Sequence, residues 1–391
     1  MMNGFIFTVI IPAYNAEKYI SESIESVVNQ TIGFENNIQI IVVNDGSTDT
    51  TCECVQHYIN MYPTNIQLIS KTNSGVSSAR NAAFESISGK YVTMLDADDR
   101  WDVNAFKIAY DFFEMHEDEI GILSCRTQYF GAKNGFPAKK DYQFATSKIA
   151  NIFDDYSFIQ TSASSVFYKS EILKKFRFNE NVKYAEDIRF INELLFEVHK
   201  FGILRESVYY YRRTHNPESI TNSRTSNSYW YTAYFDDVIW YLIDKSMARF
   251  GKLLPYIQCL IAHVIDVRFS YGYSPQLTDI QLSLYLDRLS EVCSVIEPKY
   301  TLMLPNTSIP KKAAMLYFML KDKKLVSNEI KKIIRVLIDE IRIEQGRITI
   351  SGRDRIEYLI RSDIFIENEA GKRYPLKRGP EWITLRLVLF S

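Results

Sequence analysis

Asp96-Ala97-Asp98-Asp99 places a group of carboxylates directly after an apolar run, Tyr91 to Leu95, that reads as a strand. Asp96 and Asp98 lie near one point in a turn. Such a pair suits a hard divalent cation, which takes one or two carboxylates and completes its shell with substrate phosphates. Other polar residues follow apolar runs in the same way: Tyr14, Asp45 and Asn73. Later, Glu186-Asp187 opens a helical pattern carrying Ile188, Ile191, Leu194 and Leu195, where the helix dipole favours negative charge. Arg212, Arg213 and His215 come just after the aromatic run Val208 to Tyr211.

Alternating strands and helices must position these groups. Phe7 to Ile11, Ile38 to Val43, Ile66 to Ile69 and Tyr91 to Leu95 are short, continuous apolar runs. Between the first two, Ile20, Ile24, Val27 and Val28 recur at helical spacing from Glu17 onward. Ser74-Gly75 opens a small-residue helix that runs to Ile87. Continuous apolar strands alternating with helices predict an α/β fold with a mostly parallel sheet covered on both faces. Ligands in such sheets sit beyond the carboxyl ends of the strands, where the polar residues of this chain gather.

The chain has 391 residues, 46% of them apolar and 24% charged, a balance that excludes a disordered or fibrous protein. Its formal net charge of -1 leaves no global positive field to hold nucleic acid. Neither G-x-G-x-x-G after the first strand nor G-x-x-x-x-G-K-[ST] anywhere occurs, so a dinucleotide dehydrogenase and a P-loop NTPase are disfavoured. Phosphates would then be held most simply by a metal on the aspartates. Five scattered cysteines lack zinc spacing or a disulfide framework. With no charged leader and no apolar run of membrane-spanning length, the expectation is a cytoplasmic, thiol-reduced protein.

Val9-Ile10-Ile11-Pro12-Ala13-Tyr14-Asn15, Val42-Val43-Asn44-Asp45-Gly46-Ser47-Thr48-Asp49, Gly75-Val76-Ser77-Ser78-Ala79-Arg80-Asn81 and Leu95-Asp96-Ala97-Asp98-Asp99 occur in that order. Together with Glu186-Asp187 and Tyr211-Arg212-Arg213-Thr214-His215, this series resembles the GT-A fold, family 2 inverting glycosyltransferases over about residues 5 to 222. The resemblance implies transfer of a sugar from a UDP-sugar, assisted by Mn2+ or Mg2+. It implies that Asp98 binds the metal and that Asp96, beside Ala97, contacts the ribose or the metal's water shell. Asp45 can accept a hydrogen bond from uracil N3–H, Tyr14 offers a stacking face, and Arg80 can reach the base or a phosphate. Pro12, Ala13 and Asn73 would line the same pocket. By the same likeness Asp187 is the general base and Glu186 orients acceptor or donor. Arg212, Arg213, His215 and Ser219 belong to the acceptor and diphosphate side, His215 being a further candidate metal ligand.

Plainer readings stand beside these. Asn44-Asp45-Gly46 makes a tight turn whatever its function, and Glu186-Asp187 stabilises a helix start. His215 is equally read as a partly exposed loop residue. A sugar nucleotidyltransferase shares the fold and the metal aspartate, but it carries a Gly-rich basic loop where Pro12-Ala13-Tyr14-Asn15-Ala16-Glu17 stands here. A binding scaffold without turnover would not need both Asp98 and Asp187.

Three domains are expected: a catalytic domain at 1–222, a helical region at 223–345 and a β-rich module at 346–391. Helical periodicity extends to about Glu344, and period two begins after Gly346. This combination is similar to bacterial teichoic acid and capsule glycosyltransferases, which implies a polymer or lipid-linked glycan acceptor and a tail used for oligomerisation or acceptor binding. The chain stops inside the apolar run Leu385 to Phe390, which suggests that the native protein continues. Residues 311–335 carry eight cations against Asp322 and Glu329. That segment is read as a solvated helix face ahead of two options, docking on an anionic membrane surface and gathering a phosphate-rich polymer.

Overall fold

The computed structural model describes residues 4–137, 139–214, 226–271 and 277–321, with five short strand segments between 341 and 385. Its centre is a nine-stranded sheet of order β3-β2-β1-β4-β8-β6-β9-β5, with β7 also paired to β9. The strands are β1 (Phe7–Ala13), β2 (Ile38–Asp45), β3 (Ile66–Lys71), β4 (Tyr91–Met94), β5 (Arg100–Trp101), β6 (Ile122–Gly131), β7 (Lys148–Asn151), β8 (Val166–Lys169) and β9 (Lys200–Arg213).

Over the first hundred residues the expected parallel pattern is present, with β1 parallel to β2 and β4, and β2 parallel to β3. Beyond that the sheet is mixed: β8 runs antiparallel to β4 and β6, β6 is parallel to β9, and β5 and β7 are antiparallel to β9. A parallel neighbour needs a long crossover, usually a helix. Helices Ile20–Val28, Thr51–Met61 and Val76–Ala83 supply crossovers between the first four strands, whereas the described residues between β6 and β7 include only the short helical turn Asp141–Phe144.

β1 and β2 are buried almost along their full length, consistent with strands covered on both faces. Helix Ile20–Val28 buries Ile20, Ser23, Ile24 and Val27, the face that the sequence spacing predicts. A compact aromatic cluster of Phe7, Trp101, Phe106 and Phe167 lies within the core beneath β1 and β4. Register sets the carboxyl ends side by side: Ala13 opposes Asn44, Asp45 opposes Lys71, and Ile10 opposes Met94.

Two compact units divide the chain, one of Met1–Leu260 with Tyr273–Tyr285 and the other of Ile261–Gly272 with Leu286–Ser391. The domain limits expected after 222 and 345 both fall outside the described residues. In the second unit, helices Pro298–Leu302 and Ile309–Leu320 are joined by Lys312, whose Nζ donates to the Leu302 carbonyl at 2.6 Å. Lys311 donates to Ser270 Oγ at 2.8 Å. Two of the eight cations in the basic segment are therefore engaged within this unit, and 322–335 lies outside the described residues. One expectation is corrected. Ile341–Glu344 is not helical but a strand, antiparallel to Arg347–Ile350, because Ile-Arg-Ile-Glu already alternates with period two.

Gly89 precedes β4 where the chain crosses the start of β1. A Cβ at this position would stand 2.5 Å from both Phe7 C and Thr8 N, which are backbone atoms that cannot swing aside. Gly89→Ala is expected to destabilise the fold by about 1–3 kcal/mol. A thermal melt no lower than that of the parent would refute this.

Candidate functional site

Asp45 ends β2 and is buried. Its Oδ1 accepts from Lys71 Nζ at 2.7 Å and from the Ser74 amide at 3.0 Å, while Oδ2 accepts from the Gly75 amide at 2.8 Å. One carboxylate thus shapes the loop that leads into helix Val76–Ala83. Gly75 has φ +92°, a conformation that L side chains rarely adopt. Oδ2 keeps acceptor capacity for one more donor. Asn73 is exposed in the same loop, and its backbone lies so close to Gly46 that a Cβ there would meet Asn73 N at 2.9 Å. Pro12 and Ala13 are buried within β1, and Tyr14 follows them 53% exposed.

Arg80, from helix Val76–Ala83, is buried and lies between two carboxylates. It reaches Glu186 Oε1 at 2.9 Å and Asp96 Oδ1 at 3.0 Å, joining groups 106 and 16 residues away in the chain. Burial opposes its charge, but Asp96 and Glu186 outweigh that and its pKa is raised. Asp96 Oδ2 also accepts from Ser164 Oγ at 3.0 Å. Sequence reading assigns Arg80 to the base or a phosphate; its partners in the structure are carboxylates.

The turn after β4 is clasped from three directions. Tyr209 of β9 donates its hydroxyl to Asp99 Oδ2 at 2.7 Å and accepts the Asp96 amide at 3.2 Å. Asp99 Oδ1 accepts the Arg212 amide at 2.6 Å. Arg212 Nε donates to the Asp98 carbonyl at 2.6 Å, its guanidinium pairs with Glu22, and the rings of Tyr19 and Phe130 lie 4.5 and 4.3 Å away. From the first helix, Ser23 Oγ shares its proton between the carbonyls of Ala97 (2.8 Å) and Asp99 (2.7 Å). Sequence reading missed Tyr209, Asp99 and Ser23 as positioning groups. The aromatic run Val208 to Tyr211 was visible, but which of its rings meets Asp99 depends on the register of β9.

With Asp96 and Asp99 engaged, the side chain of Asp98 has neither hydrogen bond nor ion pair among the described residues. Burial and the Asp96 charge push its pKa up to about 6. A partly desolvated, unpaired carboxylate is a fit ligand for a divalent cation that takes its other oxygens from phosphates. Among the described residues no group of three or more His, Cys, Asp or Glu could hold a metal by itself. His215 and Ser219 lie outside the described residues.

Glu186 and Asp187 begin helix Glu186–Val198 behind Ala185, which is left-handed at φ 61° and ψ 30°. A non-glycine residue held there stores backbone strain at the start of this helix. Asp187 Oδ1 accepts the Ile188 amide at 2.8 Å. Burial and then Glu186 raise the Asp187 pKa to about 7, although Arg80 and Lys140 act to lower it. The Arg213 carbonyl accepts the Ala132 amide at 2.8 Å, while its guanidinium has no hydrogen-bond or ion-pair partner among the described residues and lies near the rings of Tyr129 and Tyr211. The structure therefore brings Asp96, Asp98, Arg80, Glu186 and Asp187 into one cluster, with Asp45 anchoring the neighbouring loop.

Tyr209→Phe removes the donor to Asp99 and the acceptor for the Asp96 amide. The expected loss is about 1–3 kcal/mol of stability, read from the denaturant midpoint. An unchanged midpoint would show that water replaces the hydroxyl without cost.

Comparison with known proteins supplies independent findings. Residues 8–177 match the model of "Glycosyl transferase family 2". The chain is 32% identical over 303 residues to the minor teichoic acid biosynthesis protein GgaA of Bacillus subtilis, covering 75% of this chain and 68% of that protein. It is 26% identical over 222 residues to the poly(ribitol-phosphate) beta-N-acetylglucosaminyltransferase TarS of Staphylococcus aureus, across 56% of this chain and 38% of the relative. The crystal structure of TarS 1-349 with UDP-GlcNAc superposes with a TM-score of 0.62 at 20% identity, over 89% of this chain and 97% of that one. A mannosyltransferase of Pyrobaculum calidifontis in complex with GDP-Man and Mn2+ gives a TM-score of 0.51 at 17% identity, over 85% and 86% of the two chains. The last two likenesses establish the fold, the TarS match confirming the GT-A architecture. The motif order, the carboxylate cluster beyond the strand ends and the extended identity to GgaA converge on one assignment: the chain belongs to glycosyl transferase family 2, and it is a glycosyltransferase homologous to enzymes of teichoic acid biosynthesis.

Proposed function

We propose that this chain transfers a hexose or N-acetylhexosamine from a UDP-sugar, with inversion, to a hydroxyl of a polyol-phosphate cell-surface polymer such as a teichoic acid. The observation that carries it is the Arg80 bridge, which holds Asp96 on the donor side and Glu186 on the acceptor side at one guanidinium. Asp45 Oδ2 has the free acceptor capacity that a uracil N3–H requires, and exposed Tyr14 supplies a stacking face. The names of GgaA and TarS support the acceptor class, and the UDP-GlcNAc complex of TarS supports the donor class.

In the proposed reaction the acceptor oxygen attacks the anomeric carbon as the bond to the diphosphate oxygen breaks, and UDP departs with the electron pair. Asp187 takes the acceptor proton, a task suited to a carboxylate whose pKa lies near neutrality. Glu186, fixed by Arg80, orients the sugar or the acceptor. Asp98 would hold Mn2+ or Mg2+, which supplies charge neutralisation at the diphosphate when bound. We place this activity in the cytoplasm; all five cysteines are free thiols, in keeping with a reducing compartment. No helix among the described residues is long and apolar enough to cross a membrane.

The test is UDP release from a panel of UDP-sugars with Mn2+, Mg2+ or EDTA. One donor should give metal-dependent release that Asp98→Ala abolishes; failure to bind UDP at all would sink the proposal. Asp187→Asn should lower transfer by about 10²–10⁴-fold while UDP affinity persists. Because the base acts ionised and its pKa is raised to about 7, the rate should climb as pH rises through that value and then level off. A rate already flat from pH 5 upward would exclude Asp187 as the titrating base.

A further inference from the structure

No motif marks Glu22 and the proposed mechanism does not use it, yet it reaches the turn Asp96-Ala97-Asp98-Asp99 through Arg212. Glu22 stands in the first turn of helix Ile20–Val28. Its neighbour Ser23 holds the carbonyls of Ala97 and Asp99 directly. Glu22 itself pairs with two guanidiniums: one carboxylate oxygen accepts from Arg100 at 3.0 Å, and the other accepts from Arg212. Both guanidiniums lie beside one ring, Arg100 at 4.6 Å and Arg212 at 4.3 Å from the centre of Phe130. Two like charges at one ring repel each other, so the carboxylate shared between them is what keeps them together.

Arg212 carries this arrangement to Asp98. Its Nε donates to the Asp98 carbonyl at 2.6 Å, and only Cα and Cβ separate that carbonyl group from the Asp98 carboxyl group. The guanidinium is therefore held close to the carboxylate of the turn that has no partner among the described residues. The Arg212 side chain is 14% exposed, so water screens its charge only in part. Left uncompensated, that charge would oppose a divalent cation arriving at Asp98. Glu22 is the carboxylate paired with this guanidinium among the described residues. Arg80, the other buried cation of the site, is already matched by Asp96 and Glu186. Glu22 thus keeps a rigid donor on the Asp98 carbonyl while cancelling the charge that comes with it.

We propose that Glu22 is a positioning residue for the metal site: its carboxylate fixes the Arg212 guanidinium on the Asp98 carbonyl and cancels its charge, leaving the Asp98 carboxylate free to attract a divalent cation. The proposal rests on the reading of Asp98 as the metal ligand.

The test is Mn2+ binding to the full chain with UDP present, followed by the electron paramagnetic resonance of free Mn2+. UDP binding in EDTA is measured beside it by calorimetry. Glu22→Gln, which keeps the shape and loses the charge, should weaken Mn2+ binding by about tenfold. The same variant should bind UDP in EDTA at least as tightly as the parent, because a freed guanidinium favours the diphosphate. Glu22→Asp should restore most of the Mn2+ affinity. In an Arg212→Gln background, Glu22→Gln should change Mn2+ binding by less than about twofold, since no guanidinium charge remains to be cancelled. Equal Mn2+ affinity in the parent and Glu22→Gln overturns the proposal. So does an undiminished effect in the Arg212→Gln background. A parallel fall in Mn2+ binding, UDP binding in EDTA and melting temperature would reduce Glu22 to a structural role and overturn it too. Mn2+ binding that survives Asp98→Ala would refute the metal reading itself, and this proposal with it. Loss of Mn2+ in Asp98→Ala but not in Glu22→Gln would refute the role of Glu22 alone.

Discussion

A buried guanidinium between two carboxylates is the constraint on which the site depends. Arg80 comes from the helix after β3, Asp96 from the turn after β4, and Glu186 from the start of a helix ninety residues later in the chain. Removing one partner from such a buried cluster typically costs about 3–5 kcal/mol, because the remaining charge loses its compensation. The bridge therefore does two things at once. It closes a long-range contact in the fold, and it fixes Asp96 relative to the Glu186-Asp187 pair.

The second level of organisation is the turn Asp96-Ala97-Asp98-Asp99. Its carboxylates are chemically alike, but the surrounding elements give them different roles. Asp96 is shared between Arg80 and Ser164, and Asp99 is buried under Tyr209 and the Arg212 amide. The carbonyls of the turn are taken up by Ser23 and Arg212. Among the described residues the Asp98 side chain is left without a hydrogen-bond or ion-pair partner, a state compatible with a metal ligand. A turn held this closely gives little freedom to the one carboxylate that remains available.

Membership of family 2 accounts for residues 8–177 most directly, since the family model covers that span. The mixed half of the sheet, where β8 enters between β4 and β6, carries groups that the motifs alone did not identify: Ser164 and Tyr209. In the second unit, Lys311 and Lys312 are engaged within the unit itself, which shows how a run of like charge in sequence can be partly spent on structure.

The sequence by itself was enough to determine the strand–helix alternation of the first hundred residues, the family, and the identity of the ionisable groups at the strand ends. Those features follow from local periodicity and from short motifs whose residues are close in the chain. It also showed period two at Ile341–Glu344, although the helical pattern before it masked the change. Tertiary structure alone decided what each charge does. Arg80 is read equally well as a phosphate ligand until Glu186 is brought beside it, and Tyr209 is one tyrosine among three until the register of β9 sets it against Asp99. Charge–charge interactions act through space rather than along the chain, so the partners that tune a pKa or consume a donor are invisible until the fold brings them together.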